Sequence, residues 1–121
     1  MSSGRVRTGR SAEIAAAAEL GRRGYRIIAS NYRCRQGEID FVADDGGVLA
    51  FVEVRCKTSA TYGSPAESIT KAKMRKLGAA AERFISEHGA PASGCRFDVV
   101  EVGSLNGRLA VSDVIKDAFT L

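Results

Sequence analysis

The chain has 121 residues and, with 18 Lys and Arg against 14 Asp and Glu, a formal charge of +4. That length holds one domain, and 45% apolar with 26% charged residues is a globular composition that excludes a disordered chain. No apolar run approaches the roughly 20 residues of a membrane span, and Met1-Ser2-Ser3-Gly4-Arg5 lacks the apolar stretch of a signal peptide.

Residues 1–9 read as a flexible basic arm carrying Arg5 and Arg7, ahead of a single domain over 10–121. Residues 10–23 are Ala-rich, with Ile14, Ala17, Ala18 and Gly21 at helical spacing. Ser11 can cap this helix and Gly24 follows its last turn. A short β-branched strand is expected over 25–30, then a polar connection over 31–37. Residues 38–43 and 48–56 are two strands joined at Asp44-Asp45-Gly46-Gly47, a hairpin signal. Residues 58–68 form a turn-rich loop. Over 69–88, Met74, Leu77, Ala81, Phe84 and Ile85 give an amphipathic helix ended by Gly89 and Pro91. Strands over 96–102 and 109–115 pair through Asn106-Gly107. The order α-β-β-β-α-β-β predicts an α/β domain: a mixed sheet of about five strands flanked by two helices, the longer one a crossover.

The charge is unevenly spread along these elements. Residues 1–35 hold eight Arg against two Glu, so +6; residues 36–54 hold five acids and no base, so −5. Residues 55–76 hold six bases against Glu67, so +5. An acidic island between basic blocks suits a polyanion-binding protein with a metal-binding centre, or an ordinary solvated surface. Cys34, Cys56 and Cys95 are far apart and only one His is present, which argues against structural zinc and for a reducing cytoplasmic location. Cys56 alternates with Val52 and Val54 and is expected in the core.

Hairpin register decides what the acidic island can do. With Gly46-Gly47 as a two-residue loop, Asp40 lies opposite Glu53 and Glu38 opposite Arg55. With Asp45-Gly46, or a four-residue loop, Asp40 and Glu53 become diagonal neighbours on the same face. Either way the carboxylates lie about 5 Å or roughly 7–8 Å apart. Two such groups among Ile, Phe and Val repel and are costly to desolvate. Mg²⁺ or Mn²⁺ would compensate them, and so would salt bridges from Arg55 and Lys57.

Asp40 followed after a hairpin by Glu53-Val54-Arg55 resembles the Asp…Glu-x-Lys core of the PD-(D/E)xK nuclease superfamily, with its restriction-endonuclease-like fold. The chain more closely resembles the YraN-like family of small bacterial proteins, relatives of Holliday-junction resolvases. The likeness runs over nearly the whole chain. It takes in Glu13 with Ala16, Gly24-Tyr25, Asn31-Tyr32-Arg33, Gly37-Glu38-Ile39-Asp40 and Phe51-Val52-Glu53-Val54. It continues through Gly63-Ser64-Pro65, Lys73 with Leu77, and Arg96-Phe97-Asp98-Val99. The order and spacing of these motifs together are specific.

The resemblance implies Asp40 and Glu53 as metal ligands, with the Val54 carbonyl as a third and Glu13 as an additional acid near the metal. It implies metal-assisted phosphodiester hydrolysis. The departure is at position 55, where the superfamily pattern has Lys and this chain has Arg55, with Lys57 two residues on. Arg stays protonated, so it binds phosphate without acting as a base. Lys57 and Lys73 are the candidate substitutes.

Lys71, Lys73, Arg75 and Lys76 at the start of the long helix are candidate phosphate contacts, and so are Arg33 and Arg35. Asp98 is read as support for the sheet rather than a metal ligand, His88 as a helix-end charge, and Tyr32 and Tyr62 as surfaces on which a base can stack. The expected function is a Mg²⁺- or Mn²⁺-dependent endonuclease acting on structured or single-stranded DNA, with catalytic Asp40, Glu53, Arg55 and Lys57. The alternative is a non-catalytic nucleic-acid-binding module that has lost the working Lys. A protein-interaction adaptor would leave the paired carboxylates unexplained. No membrane partner is expected, and resolvase-like relatives point to a homodimer.

Overall fold

The computed structural model describes residues 2–56, 69–91 and 93–120, with side chains from residue 9 onward except that of residue 105. In chain order the elements are α1 (Ser2–Arg22), β1 (Arg26–Cys34), β2 (Gly37–Asp45), β3 (Val48–Cys56), α2 (Lys71–His88), β4 (Cys95–Leu105) and β5 (Arg108–Phe119). The expected order and α/β class stand. One five-stranded sheet carries the strands in the order β1-β2-β3-β4-β5. Only β3 and β4 run parallel, joined by α2 as the crossover; the other neighbours are antiparallel.

Gly46 and Gly47 take φ of 62° and 96°, the positive pair that a tight two-residue hairpin demands. The loop therefore has two residues, and β2 pairs with β3 from Asp45↔Val48 to Phe41↔Val52. Of the two registers open to the sequence, this is the one that puts Asp40 opposite Glu53.

Alternation along the strands feeds two cores. On one face Ala12, Ala16 and Leu20 of α1 pack on Phe41, Ala43, Ala50, Val52, Val100 and Val102. On the other, Leu77, Ala80, Ala81 and Phe84 of α2 cover Ile39, Val42, Leu49 and Phe51. Thr70 caps α2, its hydroxyl accepting from the Lys73 N–H at 3.1 Å. Gly37 sets how closely α2 approaches β2. A Cβ built there would lie 3.0 Å from the Lys76 carbonyl oxygen, so the helix backbone would have to give way. Gly37→Ala is expected to cost about 1–2 kcal/mol in thermal or urea melts; an unchanged midpoint would show that α2 can move without penalty.

Several local expectations are corrected. The helix begins at Ser2 rather than residue 10, and its buried stripe is Ala12–Ala16–Leu20, while Ile14 is 65% exposed. In so alanine-rich a segment every face looks apolar. The polar stretch after residue 30 is not a connection: β1 continues to Cys34, and Arg35 with Gln36 makes the turn into β2. Asn31 allows this by adopting φ 53°, a conformation Asn tolerates. The last two strands each run longer than expected. Cys56, the final residue of β3, is exposed rather than core. Among the described residues no helix is long and apolar enough to cross a membrane.

Candidate functional site

The hairpin ladder stops at Phe41↔Val52, one step short of Asp40 and Glu53. There the Val54 N–H donates to Asp40 Oδ2 at 2.7 Å, so a side chain stands in for the next strand carbonyl. Alternation breaks at the same place. Phe41 belongs to the α1 core but Ile39 to the α2 core, and in β1 Ala29 and Tyr32 pack on the α2 side although three residues apart. Asn31 and Asp40 fall opposite each other at this break, between the pairs Ser30↔Phe41 and Tyr32↔Ile39. Its effect is to leave Asp40 free of the ladder and turned toward Glu53.

Glu53 sits near the carboxyl end of β3, beside the first turn of α2, the usual place for a ligand site in an α/β sheet. It is only 6% exposed, and its carboxyl lies close enough to that of Asp40 for each charge to act on the other. Burial, reinforced by the Asp40 charge, pushes the Glu53 carboxyl up to about 7, while Lys73 and Arg55 pull it back. Burial likewise raises Asp40, with Glu13 and Glu38 adding to the effect and the Val54 N–H opposing it. Lys73 Nζ lies 3.6 Å from Glu53 Oε2 and Arg55 Nη1 4.0 Å from the same oxygen. Salt bridging to Glu53 is therefore present for Arg55, but the closer cation comes from α2.

The other expected site residues are distributed as follows. Glu13, on α1, is near enough to raise Asp40 and accepts from Asn31 Nδ2 at 3.1 Å. Among the described residues no set of three or more His, Cys, Asp or Glu side chains is arranged to hold a metal ion. The candidate centre is thus the Asp40–Glu53 pair, and that donor set suits Mg²⁺ or Mn²⁺, which bind through one or two carboxylates and otherwise take water and phosphate oxygens. A proton retained by a desolvated carboxyl beside a second acid is one a divalent cation can replace. Arg33 is paired with Glu38 at 2.9 Å, and Arg35 is exposed at the β1–β2 turn. Lys71, Arg75 and Lys76 are exposed on α2. Lys57, Tyr62 and Gly63-Ser64-Pro65 lie outside the described residues.

Three side chains take roles other than a ligand site. Tyr32 donates to Glu87 Oε1 at 2.7 Å and meets Phe84 edge-on, which fastens β1 to α2. His88 stacks on Phe84 at 4.2 Å between ring centroids, and its Nδ1 lies 3.0 Å from the Phe84 carbonyl oxygen. Asp98 supports the fold as expected: it is fully buried on the α1 face, across the sheet from Glu53, and bound by Tyr25, Arg96 and the Asp117 N–H. Two residues near the site have roles that the sequence did not assign. Asn31 shapes the break and holds Glu13; an Asn inside a β-branched run was the available signal. Glu101 is buried, is the register partner of Arg55 across β3 and β4, and accepts from Ser112 Oγ at 2.5 Å.

Comparison with known proteins finds a family model, described as uncharacterised protein family UPF0102, that matches residues 12–102. A UPF0102 protein of Symbiobacterium thermophilum is 48% identical over 114 residues, covering 93% of this chain and 96% of its own. One from Moorella thermoacetica is 45% identical over 116 residues, covering 95% and 97%. A third, from Pelotomaculum thermopropionicum, is 46% identical over 102 residues, covering 84% and 85%.

Proposed function

The chain belongs to the uncharacterised protein family UPF0102, and we propose that it is a metal-dependent nuclease hydrolysing phosphodiester bonds in structured or single-stranded DNA. The observation that carries this reading is the buried carboxyl pair, Asp40 with Glu53, beside the basic first turn of α2. A fold selected for stability alone would not desolvate two acids against each other, so their retention fits a function that uses them. The restriction-endonuclease-like resemblance of Asp40…Glu53-Val54-Arg55, and the relation to resolvases, agree with it.

Asp40 and Glu53 hold the ion, with Glu13 as the outer acid. When bound, Mg²⁺ or Mn²⁺ supplies an activated water and stabilises charge on the phosphoryl oxygens. Arg35, Lys71, Arg75 and Lys76, joined by Arg33 and Lys57, hold the nucleic-acid backbone by charge, without reading sequence. Binding to phosphates in this way must weaken as salt rises.

Branched, flapped and single-stranded DNA incubated with Mn²⁺ tests the reading. The native protein is expected to cut at least one of them, and Asp40→Ala to cut at least 100-fold more slowly, a usual scale for losing a metal ligand. If the native protein binds DNA and cuts none of them, it is a binding module, the reading that an always-protonated Arg55 favours. If its affinity for DNA does not change with salt, the nucleic-acid reading falls as well.

A further inference from the structure

Phosphodiester chemistry at a carboxylate pair needs a cation that holds the scissile phosphate against two negative groups. Among the described residues two cations flank Glu53, and they belong to different parts of the fold. Arg55 stands on β3 between buried acids, with Glu53 two residues before it and Glu101 as its register partner on β4. Its charge helps to offset the buried Glu53 carboxylate, 4.0 Å away. Lys73 arrives from α2, the helix that also presents Lys71, Arg75 and Lys76 to solvent. Its Nζ is 3.6 Å from Glu53 and its side chain is 39% exposed, so one ammonium meets Glu53 and is also open to solvent. The depth at which α2 sits, and with it the reach of Lys73, is fixed where Gly37 lies against the Lys76 carbonyl.

We propose that Lys73 is the catalytic cation of this site, holding the scissile phosphate at the Asp40–Glu53 pair, while Arg55 serves the sheet. This rests on the nuclease reading for its chemistry but not for its geometry. Lys suits the task physically: a point charge on a flexible stem can exchange a carboxylate oxygen for a phosphate oxygen, whereas Arg55 stands on the sheet with the buried Glu101 as its register partner.

The test compares native protein with Lys73→Met, which keeps the apolar stem, Lys73→Arg, which keeps the charge, and Arg55→Gln. Two quantities are read: the salt dependence of affinity for single-stranded DNA with Ca²⁺ present, and the single-turnover cleavage rate with Mn²⁺. Loss of one phosphate contact lowers the slope of log affinity against log salt by about 0.7 on a single strand. Lys73→Met is expected to show that drop with at least a 100-fold loss of cleavage, and Lys73→Arg to regain the slope. Arg55→Gln is expected to keep the native slope, with a lower melting temperature. An unchanged slope in Lys73→Met, or the slope loss falling on Arg55→Gln instead, overturns the assignment. Should native protein cut nothing while Lys73→Met alone loses the slope, the nuclease reading fails and Lys73 stands as the phosphate-holding residue. Should native protein cut and Lys73→Met cut equally well, the assignment fails and the nuclease reading stands.

Discussion

Asp98→Ala is expected to destabilise the domain by about 3–5 kcal/mol, the scale for breaking a buried, hydrogen-bonded ion pair from one side. Asp98 has no exposed surface and four donors converge on it. Tyr25 Oη lies 2.7 Å from Oδ2, Arg96 Nε 2.8 Å from Oδ1, Arg96 Nη2 3.0 Å from Oδ2, and the Asp117 N–H 2.9 Å from Oδ1. The network then extends outward. Arg96 Nη2 reaches Asp45 at 2.5 Å, Lys116 reaches the same carboxylate at 2.9 Å, and both cations lie over the Tyr25 ring. It ties Tyr25, just ahead of β1, to the ends of β2, β4 and β5. Truncating Asp98 leaves the Tyr25 hydroxyl and the Asp117 N–H without their acceptor and the largely buried Arg96 guanidinium with Asp45 as its remaining carboxylate, a cost beyond the bonds themselves. In a domain of this size the melting temperature should fall on the order of 15 °C. Replacing the pair together, Arg96→Met with Asp98→Leu, should cost less than Asp98→Ala alone, because no unpaired charge is left behind. A double variant worse than the single one would show that the pair is worth more than its geometry implies. Cleavage by Asp98→Ala below its melting temperature should stay near native, since Asp98 faces away from Glu53.

The parts of this molecule that were legible in its sequence are those fixed by local repetition. The turn residues 44–47 marked the hairpin, and strand alternation put Asp40 and Glu53 on one face in either register the sequence left open; the positive φ of Gly46 and Gly47 then set them opposite each other. Position 53 could be placed on the face of Phe51 by parity alone. What parity could not supply is the break at Asn31 and Asp40, because it depends on one residue taking a left-handed backbone that Asn permits without demanding. Nor could it find the network around Asp98. Arg96 and Asp98 share a strand face by spacing, but Tyr25 and Asp45 reach them only through the closed sheet, 71 and 51 residues away along the chain. The buried stripe of α1 was misread for a third reason: with alanine on every side, periodicity has no contrast to report. The closer contact of Lys73 than Arg55 with Glu53 likewise depends on the depth of a helix, which Gly37 sets from another strand.

Glu53→Gln is expected to do two opposite things: abolish Mn²⁺-dependent cleavage and stabilise the metal-free protein at pH 8. The sign follows from the proton. An unfolded Glu titrates at its ordinary value of 4.5, whereas folding raises the Glu53 carboxyl to about 7, chiefly by burial and then by the Asp40 charge. Between these values the folded state holds more protons than the unfolded state, so stability falls as pH rises through the window, by up to roughly 3 kcal/mol above pH 7. The glutamine amide carries no charge to desolvate and offers N–H donors to the neighbouring Asp40 carboxyl. Its variant should therefore match native stability near pH 4.5 and exceed it at pH 8, read from urea melts at the two values. Addition of Mn²⁺ should raise the native melting temperature at pH 8, where the proton is lost, and do little at pH 5, where the ion must displace it. Neither shift should appear in Glu53→Gln. A native stability that does not change between pH 5 and 8 would mean that Glu53 is not held as a protonated partner of Asp40. A Glu53→Gln protein that cuts DNA at the native rate would remove Glu53 from the reaction. A variant that gains stability and loses cleavage would instead show that the fold tolerates a destabilising pair of acids because its chemistry needs them.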